Sequence, residues 1–261
     1  MNECGKRDMA ARLWSFSKGS GEGEGKQMVS WRQEADVVVV GGGACGLPAA
    51  IAAREAGATV LLLEAEADIG GHAITSGGNV PLGGGTSVQK KYGIEDSPDI
   101  VFKDLTDWSI VQPNGAADYR YNDREIIRVF ADESAPTFEW LLKHGVAFHD
   151  KAPDQRGGGA VGNSVPREMH AIPLEVPLVQ TGKPAAEEAK RSYSTGNGLM
   201  RPLEAAAKKC GVELLLEHRM TGIHREKGSA KGLNACPAGR VVGIEATHRG
   251  AIINIRAKKA V

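Results

Sequence analysis

Val37 to Val40 are four β-branched residues in succession. An apolar run without polar alternation predicts a strand buried on both faces. Leu47 to Ala56 follows, rich in strong helix formers, with Pro48 in the first turn, where amides lack helical partners. Gly57 is a natural stop, and Thr59 to Leu63 is a second buried run that ends at Glu64. The pattern from Asp36 to Glu64 is therefore strand, helix, strand. From Ala65 to Gly93 periodicity is lost, and the glycine clusters at 70–71, 77–78 and 83–85 predict mostly loop. Ser97-Pro98 opens a helix through Trp108. Asn122 and Glu125 have capping-box spacing for a helix that ends at Gly145, which Pro136 breaks or kinks. Residues 150–195 read as irregular, and 198–210 as a helix closed by Gly211. Residues 213–217, 220–225, 240–247 and 251–261 read as strands. The fold class is α/β: a parallel sheet with helices and extra antiparallel strands.

Composition narrows the class. Lys plus Arg and Asp plus Glu both total 32, so bulk charge does not recruit nucleic acid. No apolar run approaches the length of a membrane span, and the start of the chain lacks a signal-peptide core. Four cysteines at 4, 45, 210 and 236 form no CxxC pair, which makes the cytoplasm the expected compartment. Residues 1–34, with the Gly-Ser-Glu stretch at 19–25, read as a flexible tail before an ordered region from 35 to 261. The 34 glycines are the outlier, and they cluster without a collagen period, which points to backbone-lined binding loops.

The strongest chemical signal is Gly41-x-Gly43-x-x-Gly46 between the first strand and the first helix. Gly41 permits the turn, Gly43 lets a pyrophosphate approach the backbone, and Gly46 lets helix and strand pack closely. Free amides and the helix dipole then face the anion. Cys45 has two readings, a reactive thiol at a helix start or a small packing residue whose amide serves the phosphate. Glu64 is placed to accept hydrogen bonds from ribose hydroxyls. This unit alone leaves NAD and FAD open.

The loop that follows resembles a known family. Gly70-Gly71-His72-Ala73-Ile74-Thr75-Ser76-Gly77-Gly78, then Gly85-Thr86-x-x-Gln89, resembles the FAD-dependent oxidoreductases that include fumarate reductase, the succinate dehydrogenase flavoprotein, urocanate reductase and ketosteroid dehydrogenases. The stretches 195–214 and 218–223 resemble that family's return segment and its adenine-contacting strand. The resemblance implies a Rossmann-like FAD-binding domain. It places Gly41, Gly43, Cys45 and Gly46 at the pyrophosphate, Glu64 at the ribose, and Ser76, Gly77 and Gly78 near diphosphate and ring. Met220 falls at the adenine. His72 is either a polar neighbour of the cofactor or an exposed loop histidine. In the covalent branch the linking histidine stands six residues before the Gly-Gly pair, a position held here by Gly71, so the resemblance implies non-covalent FAD.

The family continues into an ATGG-type turn, a cap and a second flavin segment. The sequence given reaches Val261, so the resemblance implies a C-terminally truncated domain without catalytic residues, weak in FAD binding and prone to aggregate. The implied activity of the complete protein is hydride transfer between flavin and a carbon of a small-molecule substrate beside an electron-withdrawing group, as in an unsaturated acid or a ketone. The resemblance names no electron partner. Two alternatives stand beside it. One is a non-catalytic nucleotide-binding module or half of a split flavoprotein, and the other is an NAD-binding dehydrogenase, which the Gly-Gly loop opposes. Outside the unit, Arg167-Glu168-Met169-His170 reads either as an anion and proton site or as ordinary structural residues. Tyr119 and Tyr121 are candidate acidic hydroxyls, and His144 and His149 have no ligand-like spacing to a partner. Treating the flavin-loaded protein with trichloroacetic acid is expected to leave all flavin in the supernatant, whereas a yellow pellet would show a covalent link.

Overall fold

A computed structural model describes residues 29–107, 123–155, 163–174, 196–226 and 239–261. Strand β1 (Gln33–Val40), helix α1 (Gly46–Glu55) and strand β2 (Val60–Leu63) form the expected unit, with β1 and β2 parallel from Val37↔Val60 to Val40↔Leu63. β1 starts at Gln33, inside the stretch expected as tail. The expectation of burial on both faces holds for β2 and fails for β1. Val38 is fully buried, Val37 and Val39 are half-buried, and Val40 is 42% exposed at the strand end.

The expected loop from 65 to 93 contains short elements: α2 (Gly71–Ile74), β3 (Asn79–Pro81) and α3 (Ser87–Lys91). Helix α4 (Pro98–Asp107) matches its expectation as far as the described residues go. Helix α5 (Arg124–Lys143) runs through Pro136 without a break. Its cap is Asp123, whose carboxylate accepts the amides of Glu125 and Ile126, one residue later than expected. Strand β4 (Glu168–His170) pairs antiparallel with β3. Helix α6 (Asn197–Cys210) ends at Gly211 in the left-handed conformation, as expected. Strands β5 (Glu213–Leu215), β6 (Arg219–Arg225), β7 (Val241–His248) and β8 (Ala251–Ala260) complete the chain. The expectations for the stretch 19–25, for Cys4 and Cys236, for Asn122 and for the two tyrosines lie outside the described residues.

The main sheet has the order β5-β2-β1-β8-β7-β6, with β1, β2, β5 and β8 parallel and β6-β7-β8 an antiparallel meander. β5 and β6 are at opposite edges, yet only residues 216–218 connect them. Four Cα steps span about 15 Å at most, whereas five strand spacings are about 24 Å. The sheet must therefore curl, and the meander folds back over the parallel strands. Val38, Leu61 and Leu63 accordingly pack with Ile244, Ala246, Ile253 and Ile255. On the other face Val60 and Leu62 pack with Leu47, Ala50 and Ile51 of α1 and with Met200, Leu203 and Ala207 of α6.

The β3–β4 lobe is organised around a buried cation. Arg167 is 2% exposed. Its guanidinium donates twice to Asp96, at 2.8 and 2.9 Å, and also to Asp104 and to the Asn163 side chain. Gln89 adds a donor to Asp96, and its own carbonyl closes a capping box with Thr86. Burial pushes the Asp96 carboxyl up, but the bonds from Arg167, the Gly84 amide and Gln89 outweigh it and hold the group below its ordinary value. The structural reading of Arg167 is thus the one realised.

Two stability measurements follow. A Cβ on Gly46 would lie 1.7 Å from the Gly41 carbonyl oxygen, while one on Gly43 meets nothing nearer than 4.0 Å. Urea unfolding is expected to show a loss of about 3 kcal/mol for Gly46→Ala and a change within about 1 kcal/mol for Gly43→Ala. Arg167→Met strands two buried carboxylates and is expected to cost about 3–5 kcal/mol at pH 7. Because Asp96 is depressed in the folded chain, its contribution is complete above the unfolded value near 3.9 and is lost as pH falls through the folded one. Without Arg167, burial raises the stranded carboxyl in the variant, so the gap between wild type and variant should narrow as pH falls through that raised value and be gone only below the lowered value of Asp96 in the wild type. A gap that stays constant down to acid pH would contradict the assignment.

Candidate functional site

The carboxyl ends of β1 and β2 meet at one turn. Gly41 has φ +97°, which a side chain would strain, and its amide donates to the Leu63 carbonyl at 2.7 Å. Gly46 then starts α1 directly against the Gly41 carbonyl, so the first turn of the helix opens beside the glycine turn, with its Leu47 amide bonded to the Gly43 carbonyl at 3.1 Å. The position above Gly43 is open. These features fit a pyrophosphate, which needs backbone approach and amide donors.

Glu64 stands at the end of β2 and faces this turn. One carboxylate oxygen accepts the Gly42 amide at 2.8 Å, and the other accepts the Glu66 amide at 3.0 Å. A carboxylate offers about four acceptor positions, so capacity remains for ribose hydroxyls. Gly42 was not singled out from the sequence, yet the site depends on it. A Cβ there would meet Ile69 at 3.1 Å and the Glu64 carboxylate at 3.3 Å. The triplet Gly41-Gly42-Gly43 was its only signal.

Cys45 is exposed at the start of α1. Its side chain makes no capping bond. The Gly-Gly loop runs over the turn, and the Gly70 amide donates to the Gly42 carbonyl at 2.9 Å. His72 is exposed on α2, as are Ser76 and Gly77 after it, while Gly78 is buried. The Ser76 hydroxyl donates to the Ala73 carbonyl and accepts the Gly78 amide, so it shapes the loop. Gly85, Thr86 and Gln89, which the resemblance joined to this loop, serve the capping box and the Asp96 network.

The return segment also has a spatial reason. A Cβ on Gly196 would lie 2.0 Å from the Ala73 carbonyl, and one on Gly198 2.0 Å from that of Ile172. The Gly196 amide donates to the Ser76 carbonyl at 3.0 Å, and the Asn197 side chain grips both backbone groups of Leu174. After β5, Glu217 adopts φ +57° and turns the chain. The amides of Glu217 and His218 then donate to the carbonyls of Glu66 and Glu64. This brings Met220, 37% exposed and paired with Ala246, to the Glu64 side of the sheet. His218 and His248 stack there with centroids 4.2 Å apart.

Beside the turn, α1, α5 and α6 enclose an apolar cleft of about 600 Å³, lined by Ala44, Pro48, Val80, Trp140 and Leu199 among others. Its walls are mostly apolar, with Glu133 and Thr137 among the lining residues. His170 faces Asp154 at 2.9 Å, while Arg167 is fully engaged. His144 bonds the Trp140 carbonyl and lies 3.3 Å from Glu55. Among the described residues no helix is long and apolar enough to cross a membrane.

Known proteins are similar to this chain in sequence and in fold. The cytochrome-type fumarate reductase of Shewanella frigidimarina is 28% identical over 198 residues, which cover 76% of this chain and 29% of the relative. The 3-oxo-5-alpha-steroid 4-dehydrogenase of Comamonas testosteroni is 28% identical over 228 residues, 83% of this chain and 38% of its own. The solved 3-ketosteroid-delta4-(5alpha)-dehydrogenase of Rhodococcus jostii RHA1 superposes with a TM-score of 0.68 at 29% identity, over 90% of this chain and 46% of that one. The chain therefore spans less than half the length of each. The model of the FAD binding domain family matches residues 36–261. A match of that extent settles the choice that the glycine turn left open: the chain belongs to the FAD binding domain family, and FAD is its cofactor.

Proposed function

We propose that the chain supplies the nucleotide-holding part of a flavin oxidoreductase acting on a small molecule, with the substrate carbon beside an electron-withdrawing group such as an unsaturated acid or a ketone. The observation that carries this reading is the joint geometry of Gly43 and Glu64. Open backbone lies over one, and an oriented carboxylate with spare acceptors is on the other, across a single turn.

Bound FAD supplies the centre that gains or gives up the hydride. Residues of the chain bind and orient it. Gly41, Gly43, Cys45 and Gly46 present backbone to the pyrophosphate, and Glu64 accepts the ribose hydroxyls. Ser76, Gly77 and Gly78 present the loop toward diphosphate and ring, and the backbone at Met220 meets the adenine. His72, exposed on α2, is a polar neighbour without a covalent bond to the flavin. The fumarate reductase and steroid dehydrogenase relatives support the reaction class. Free thiols at Cys45 and Cys210 support a reducing compartment, the cytoplasm.

Flavin fluorescence titration tests the site. Glu64→Ala removes charge-assisted hydrogen bonds and is expected to weaken FAD by about 1.5–3 kcal/mol. Gly43→Ala is expected to stay folded and lose FAD, because its methyl group occupies the diphosphate position. Unchanged affinity in both variants would remove this turn from the cofactor site.

A further inference from the structure

The loop from Asp68 to Ser76 crosses the glycine turn and is fastened at both ends to one helix. At its far end the Gly196 amide, at the cap of α6, donates to the Ser76 carbonyl at 3.0 Å. At its near end Arg201, one turn into α6, holds Asp68. One guanidinium nitrogen donates to an Asp68 oxygen at 2.8 Å, and the second nitrogen meets the other oxygen, a two-pronged pair. Arg201 is itself oriented by Glu204 at 2.8 Å, and Glu204 by Lys208. Asp68 passes the constraint on. Its carboxylate accepts the Ile69 amide at 2.9 Å. Ile69 is 2% exposed and abuts Gly42, and the next amide, Gly70, donates to the Gly42 carbonyl. Gly42 in turn donates to Glu64. A continuous path of bonds and contacts thus runs from α6 to the turn that faces the cofactor.

We propose that Arg201 is a positioning residue for FAD: through Asp68 it holds the 68–76 loop in the conformation that closes over the nucleotide. This rests on the FAD site proposed above, and it assigns a cofactor role to a cation 133 residues from its partner in sequence. Free of the clamp, the loop keeps its anchor at Ser76 but loses the one at Asp68. The Ile69–Gly70 step is then no longer fixed against Gly42.

The test combines four variants with three readouts. Arg201→Gln, Asp68→Asn and the double variant are titrated with FAD, and amide hydrogen exchange is followed at Ile69 and Gly70 in the cofactor-free chain. Each single variant is expected to weaken FAD about three- to tenfold, a range set by a two-pronged but partly exposed pair. The double variant should bind no more weakly than either single one, since both remove the same clamp. Arg201→Lys should recover part of the loss, because it keeps the charge without the fork. Exchange at Ile69 and Gly70 should accelerate in the variants while the thermal midpoint moves by no more than about 2 °C. Single variants with wild-type affinity and exchange, or losses that add in the double variant, would overturn the role. A wild-type chain that takes up no FAD, with exchange responding as expected, would instead overturn the site proposed above and leave the clamp standing.

Discussion

The Glu64 carboxylate ties two turns together, since one oxygen accepts the Gly42 amide after β1 and the other the Glu66 amide after β2. Remove it and two backbone donors lose their partner at the point where the parallel strands end. The same residue accepts the His218 amide through its carbonyl, so the start of the meander is docked there as well. Three segments that are distant in sequence therefore converge on one residue. It is partly exposed and keeps acceptor capacity for a ligand.

The rest of the architecture serves this convergence. The sheet curls because residues 216–218 are too few to cross a flat one, and the curl brings β6 to Glu64. Helix α6 packs on the opposite face through Met200, Leu203 and Ala207 and reaches the Gly-Gly loop at Ser76 and Asp68. The β3–β4 lobe is fixed separately by Arg167 between Asp96 and Asp104. The glycine turn is thus held from several sides, by Leu63 and Glu64 at the end of β2 and by the Gly-Gly loop that α6 anchors.

What was legible in the sequence was local. The run from Asp36 to Glu64 signals strand, glycine turn, helix and strand within 29 residues, and the structure agrees to within a residue or two at most boundaries. The meander strands were also legible, because their apolar runs are bounded by turn residues. What was not legible depends on distant partners. Arg167 looked like a candidate anion site because its carboxylates lie 63 and 71 residues away. The short elements between 71 and 91 are too brief to carry a period, and their form comes from tertiary bonds such as the Gln89 network. The cap of α5 fell on Asp123 and not on Asn122, a choice between adjacent good cap residues that spacing does not make. Gly42 was passed over because the dinucleotide fingerprint treats its position as free.

The central claim is that this chain grips FAD by its nucleotide half. Equilibrium dialysis of FAD against excess ADP, and separately against excess FMN, tests it most directly. ADP is expected to displace FAD, because it carries the adenine, ribose and diphosphate that the turn, Glu64 and the start of β6 are proposed to hold, and FMN is expected not to. Displacement by FMN with ADP inert would contradict it and move the grip to the flavin ring.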